Sequence, residues 1–369
     1  MAAGPVTFVT LSVFSAEKFQ GNPLAIVSVR GNGLPQARKS LIAKEFGYSE
    51  TVFLHDAPGP GQPRLCEIFT ETGEELPFAG HPVIGVAHYI FSFLEKASVR
   101  PDDRDSQRQT AILQTKAGKI PIFYNTYRSV AACAVPFQFH SHSYRVPFND
   151  IIATQPHLQI APSVERESGK SFPVVSIVKG MTFTLVDLTG SPELFADLKA
   201  AQAPEVALDQ PWSPSFVGCL YYKILGRAEK EGEPTIHNIQ ARMISQGRED
   251  PGTGSACCAL SCYLALQHQE SASTENEGKE DGEVTSDAIS SARDATTVEG
   301  IADGASKMSL EHKTERVVFG IQQGIELGRV CTIAVEVDVK TDAAGVRHVA
   351  NIVLSGRGVM FARGELFGS

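Results

Sequence analysis

The seven cysteines form no C-x-x-C pair and no cluster with histidine, which argues against both a disulfide framework and a zinc site. No apolar run reaches the length of a membrane span. The longest, residues 83–94, is interrupted by His88 and Ser92. The first residues, MAAGPVTFVTLSVF, lack a basic leader segment and alternate as a strand does, so no secretory signal is expected. There is also no basic excess. The formal charge of −9 is concentrated in residues 269–307, where ten acidic and three basic residues sum to −7, leaving about −2 for the rest of the chain. A near-neutral body gives no nucleic-acid footprint. Several catalytic signatures fail as well. Ser168-Gly169-Lys170-Ser171 ends like a phosphate-binding loop but has Val164 where the first glycine is required. Gly254-Ser255 lacks the hydrolase elbow frame, and His81 and His88 are seven residues apart without a metalloprotease glutamate. What remains is a protein of 42% hydrophobic and 20% charged residues, long enough for two cores and expected in the cytoplasm with reduced thiols.

Residues 73–94, GEELPFAGHPVIGVAHYIFSFL, organise the chain. A Gly/Pro turn feeds a helix that is apolar nearly all round and therefore enclosed. Pro82 suits the first helical turn, and the unpaired N–H groups there make a seat for an anion. The frame recurs 174 positions later in GREDPGTGSACCALSCYL. Gly73 falls on Gly247, Glu75 on Glu249, Pro77 on Pro251, Gly80 on Gly254 and His81 on Ser255. Two such frames, each before a buried-looking helix, indicate a duplicated unit.

The rest of the chain reads mostly as short strands. Alternation predicts strands at 6–13, 24–29, 64–69, 111–115, 119–124 and 130–135, with an amphipathic helix over 34–46. The stretch 138–170 reads as a loop-rich connection. The second half repeats the pattern, and residues 269–307, rich in Ser, Thr, Glu, Asp and Gly, read as a disordered acidic insertion. Strands that curl round a helix would explain why neither helix has a polar face.

Two such halves face to face bring both helix starts to one cleft, where their N–H groups hold a carboxylate. Glu50, on a strand face shared with Val52 and Leu54, is the candidate acid/base, because desolvation raises a carboxyl toward neutrality. His81 either caps its helix or shuttles a proton, Asp250 either caps or orients substrate, and Ser255 offers a hydrogen bond. Cys257, Cys258 and Cys262 lie inside the apolar helix and read as packing.

These residues resemble the PhzF-like phenazine-biosynthesis family, relatives of diaminopimelate epimerase. The matching pieces are Phe19-Gln20-Gly21-Asn22-Pro23-Leu24-Ala25, Ser49-Glu50-Thr51, Phe78-Ala79-Gly80-His81-Pro82, Glu249-Asp250-Pro251-Gly252-Thr253-Gly254-Ser255-Ala256 and Gln323-Gly324, in the family's order. The resemblance implies an α+β fold of two pseudo-symmetric epimerase-like domains, each a barrel-like sheet wrapped round a hydrophobic helix. Residues 1–137 would form the first and 138–356 the second, with a last strand near 357–369 returning to the first. It implies isomerase chemistry without cofactor or metal, on a small carboxylated metabolite. Glu50, His81 and Asp250 would be catalytic, and Gly80, Gly254, Ser255 and Asn22 would bind substrate. It also suggests a homodimer. The superfamily's racemases use two opposed cysteines where this chain has His81 and Ser255, which puts a two-thiol racemase in doubt. A binding or regulatory protein on the same fold, or a racemase- or lyase-type enzyme, remains the rival.

Overall fold

Alternating apolar residues build the first strands, β1 Val6–Val13 and β2 Asn22–Val29, which pair antiparallel so that Leu11 and Val13 on one and Leu24 and Ile26 on the other are buried together. The computed structural model describes residues 6–31, 33–95, 108–229, 234–268 and 314–367. The acidic insertion expected at 269–307 lies outside the described residues. After β2 come helix α1, Gln36–Phe46, then β3 Glu50–His55, β4 Arg64–Thr70 and the two-residue β5 Glu75–Leu76. Helix α2, Gly80–Tyr89, runs on into a wider turn over Ile90–Leu94, and β6 Arg108–Thr115, β7 Gly118–Asn125 and β8 Val130–Ala134 follow.

The second half contains β9 His140–Pro147, short helices α3 Phe148–Thr154 and α4 Ser163–Glu167, β10 Ser171–Val178, β11 Met181–Asp187 and α5 Pro192–Ala196. Next are β12 Phe216–Ala228, β13 Ile236–Ser245, β14 Arg248–Asp250 and the second enclosed helix, α6 Gly254–Gln267. The chain ends with β15 Thr314–Gln323, β16 Cys331–Thr341, β17 Arg347–Gly356 and β18 Gly358–Leu366. The stretch 138–170, expected to be loop-rich, is therefore not: it carries a strand and two short helices. β9 reads HSHSYRVP and buries His142 as well as Val146, so a polar side chain occupies an inward position and the apolar alternation that marks a strand is lost.

The pairings of the two halves repeat each other. In the first, β1 pairs antiparallel with β2, β2 parallel with β3, β3 antiparallel with β4, β4 antiparallel with β5 and parallel with β6, and β6, β7 and β8 are antiparallel in turn. In the second, β10 to β17 pair in the same sequence of parallel and antiparallel steps, with β14 in the place of β5 and α6 in the place of α2. β9 pairs with β10 as β18 pairs with β1, and β8 meets β17, joining the two halves into one mixed sheet system of eighteen strands among the described residues. Such pairings come from sequence-distant partners, which apolar alternation alone does not specify.

Every residue of α2 is buried, and α6 is buried along most of its length. Its neighbours are strand faces, so burial on all sides replaces the usual polar face. The one polar group midway along α2 is satisfied: His88 Nε2 lies 3.1 Å from the Gly356 carbonyl, and burial lowers its pKa to about 4, so the ring is neutral. Among the described residues no helix is long and apolar enough to cross a membrane.

Candidate active site

The two helix starts touch. A Cβ placed on Gly80 would lie 3.4 Å from the Gly254 Cα and 2.6 Å from Leu354 Cδ2, and one on Gly254 would lie 3.5 Å from the Gly80 Cα. Glycine at both positions is what allows the approach. Neither start is capped by a side chain: the residue before α2 is Ala79, which has no acceptor, and the residue before α6 is Thr253. The first intrahelical bonds are Val83 N to Ala79 O and Cys257 N to Thr253 O. The N–H groups of Gly80, His81, Gly254, Ser255 and Ala256 therefore have no acceptor within their helices, and Pro82 has no N–H to satisfy. Two positive helix ends thus point toward one region.

Around that junction the structure gathers side chains far apart in the chain. Glu50 opens β3, and its Oε2 lies 3.4 Å from His81 Nδ1 at the start of α2. The Glu50 side chain is 18% exposed. Burial, followed by the negative charge of Asp250, pushes its pKa from 4.5 up to about 8. His81 is 5% exposed, and burial lowers its pKa to about 3, so it is a neutral imidazole. Asn22, at the start of β2, donates from Nδ2 to Asp250 Oδ1 at 3.0 Å and to the Gly252 carbonyl at 3.0 Å, and lies 3.5 Å from His81 Nδ1. Asn22 therefore ties the first half to the turn before α6. Ser255 stands half-buried in the first turn of α6, in the place that His81 occupies in α2.

Asp250 does not cap α6. Its Oδ2 accepts the Thr253 hydroxyl and its Oδ1 the Asn22 amide, and burial raises its pKa against these bonds. Gln323, at the end of β15, holds the same turn: its amide donates to the Asp250 carbonyl at 2.7 Å and to Thr253 Oγ1 at 3.2 Å, and its oxygen accepts Thr253 N at 3.0 Å. All seven expected site residues thus meet at one place. Sequence reading assigned no role to Thr253 or Gln323, although both lie in the quoted motifs. It missed Glu71 and Arg248 altogether. These two pair across the halves, 177 positions apart, beside Glu50 and Asp250, and no local pattern marks them. The seven cysteines are free and buried, and burial pushes the Cys66 thiol up to about 12 and the others upward too, so none is a ready nucleophile.

Fold and site together define an α+β protein with two sheet-wrapped helices meeting start to start over a carboxyl of raised pKa. The phenazine biosynthesis-like family model, PhzC-PhzF, matches residues 11–287, and the chain belongs to that family. It is 30% identical to the trans-2,3-dihydro-3-hydroxyanthranilate isomerase of Pseudomonas aeruginosa over 270 residues, 71% of this chain and 81% of that one. It is 37% identical to an uncharacterized isomerase of Pasteurella multocida over 120 residues, 32% of this chain. The chain spans 37% of that relative's length. The crystal structure of the Bacillus anthracis phenazine biosynthesis protein of the PhzF family has a TM-score of 0.59 and 17% identity, covering 99% of this chain and 100% of that one, a likeness of fold.

Proposed function

We propose that this protein is an isomerase that moves a proton between carbons of a small carboxylated metabolite, without a cofactor. Glu50 is the proton carrier. The observation that carries the reading is the carboxyl of raised pKa beside the touching starts of α2 and α6. A carboxylate with a pKa of about 8 is a far stronger base than an ordinary glutamate, yet it is ionised often enough near neutral pH to act.

Each group then has a task. The substrate carboxylate sits against the N–H groups of Gly80 and Gly254 and their neighbours, with Ser255 donating to it. Glu50 takes a proton from a carbon activated by an adjacent unsaturated or carboxyl group. The C–H bond breaks, an O–H bond forms on Glu50, and the electron pair enters the conjugated system, its charge held by the helix starts. The same carboxyl returns the proton to a second carbon, the O–H bond breaks and the double bond is displaced. Neutral His81 steadies the Glu50 carboxyl in either protonation state, because an uncharged imidazole offers a donor or an acceptor. Asp250, held by Asn22 and Thr253, keeps the basicity of Glu50 high. The named activity of the Pseudomonas aeruginosa relative suggests cyclic unsaturated amino or hydroxy acids as the first substrates to test. The buried free thiols fit a reducing, cytoplasmic setting.

The test is incubation of the protein in D₂O with a panel of small unsaturated carboxylic acids, trans-2,3-dihydro-3-hydroxyanthranilate included, followed by NMR. Double-bond displacement, with or without deuterium entry, is expected with wild type and absent with Glu50→Gln. Saturable binding across the panel with neither displacement nor exchange would favour the rival, a binding protein on this fold.

A further inference from the structure

A second constellation lies on β9 and the 197–215 loop and shares no residue with the candidate active site. His140, His142 and Asp209 each present a metal-ligating atom, all within 4.8 Å of one another. His140 Nε2 is 2.9 Å from Asp209 Oδ2, and His142 Nδ1 is 3.8 Å from the same oxygen. Ligands of a tetrahedral ion with bonds of about 2.0–2.1 Å stand roughly 3.4 Å apart, so these distances bracket what a zinc-sized ion needs. The rings are also held as metal ligands are held. His142 is buried, and its Nε2 lies 2.9 Å from Ser176 Oγ, which leaves Nδ1 turned toward Asp209. The His140 ring stacks on Trp212 at 4.7 Å with an angle of 11°, and Trp212 also meets His142 edge-on at 5.9 Å. Ser143 donates to Asp209 from both its hydroxyl, at 2.6 Å, and its main-chain N–H, at 3.1 Å, so the carboxylate is aimed.

We propose that His140, His142 and Asp209 bind a divalent transition-metal ion, Zn²⁺ foremost, that clamps the 197–215 loop onto β9. Two imidazoles and one carboxylate form a borderline nitrogen–oxygen donor set, which suits zinc and its first-row neighbours rather than calcium or magnesium. Binding replaces two hydrogen bonds with metal bonds: the His140–Asp209 contact and the Asp209 N–H donated to His142 Nδ1 at 3.1 Å. The His140 proton moves to Nδ1 or to solvent as Nε2 takes the ion. Water completes the coordination, since His140 and Asp209 are each about one-third exposed.

Trp212 is the only tryptophan of the chain, so it reports on this place alone. The full-length protein, freed of metal with a chelator, is titrated with Ni²⁺ or Cu²⁺ while Trp212 fluorescence is followed. Zn²⁺ binding is measured in parallel by calorimetry. One equivalent is expected to quench the fluorescence saturably, and Zn²⁺ is expected to compete. His140→Ala and Asp209→Asn should abolish the step, and Ser176→Ala should weaken it about tenfold, the usual cost of losing a ring-orienting partner. Glu50→Gln, which removes a carboxylate from the other site, should leave it unchanged. No saturable quenching of the wild-type protein overturns the proposal whether or not the variants fold. So does stoichiometric binding that survives both His140→Ala and Asp209→Asn.

Discussion

Replacing Glu50 by Gln should abolish turnover and at the same time stabilise the protein, by an amount that grows with pH. The folded site holds the Glu50 proton to about pH 8, whereas the unfolded chain releases it near 4.5. Below about pH 4.5 both states are protonated and the residue contributes no penalty. As pH rises from 4.5 to 8 the unfolded state gains by ionising while the folded site resists, so wild type loses stability across that window and levels off above it. Gln carries no titratable proton and escapes the loss. About 3.5 pH units at 1.36 kcal/mol each set an upper limit of roughly 5 kcal/mol. Water reaching the partly exposed carboxyl, and local relaxation, bring the expected difference to about 2–4 kcal/mol. The assay is urea unfolding of both proteins at pH 5, 7 and 9, comparing the stability difference at each pH so that all other titrations cancel. A difference that is flat from pH 5 to 9 would refute the burial of an acid with raised pKa. Loss of activity without that pH trend would leave Glu50 essential but ordinary in its ionisation.

Other changes probe the neighbours. The negative charge of Glu71 helps raise both Glu50 and Asp250, so Glu71→Gln should move the rise of kcat/KM to lower pH by less than about one unit, while Arg248→Ala, which leaves Glu71 uncompensated, should move it upward. An unchanged pH profile in both variants would remove this pair from the electrostatics of the site. Gly80→Ala should cost about 1–3 kcal/mol and most of the activity, because its methyl meets Leu354 and the Gly254 backbone; thermal melts should show less than additive loss when it is combined with Leu354→Val. Away from the cleft, burial would raise Glu67, but hydrogen bonds from His55, Lys39 and Gln36 win and lower it to about 2. Its stability is therefore present above pH 4.5 and lost as pH falls toward 2. Lys39→Ala should cost about 3–5 kcal/mol at neutral pH in urea unfolding, and less as pH falls toward 2 and the Glu67 carboxyl takes up its proton.

The duplicated Gly/Pro frames were legible because the same constraint, a close helix start, demands the same small and turn-forming residues twice. Glu50 was legible because a carboxylate on an apolar strand face needs an explanation. His140, by contrast, reaches Asp209 across 69 positions, and β9 hides its inward face behind His142. Nor did spacing distinguish Asp250 as a cap from Asp250 as an anchored charge. That depended on Asn22, 228 positions away, supplying the amide that holds it.

The repeat also bears on how the proton moves. A duplicated scaffold presents two equivalent helix starts, and by itself it favours symmetric chemistry with one base on each side of the substrate. The side chains break that symmetry. β3 opens with Glu50, whereas β12, its counterpart in the pairing scheme, reads FVGCLYYKILGRA and has no carboxylate. The second carboxylate, Asp250, comes from the opposite half and accepts hydrogen bonds from Asn22 and Thr253, which favour its anion against the effect of burial. Glu50, beside a neutral imidazole at 3.4 Å, has its pKa pushed up to about 8, chiefly by burial, and so holds a proton more readily. In the proposed reaction the symmetric backbone would therefore supply the anion seat, and one carboxyl would both remove and return the proton. That arrangement suits displacement of a double bond along one face of a substrate better than inversion of a stereocentre, which needs a donor and an acceptor on opposite faces.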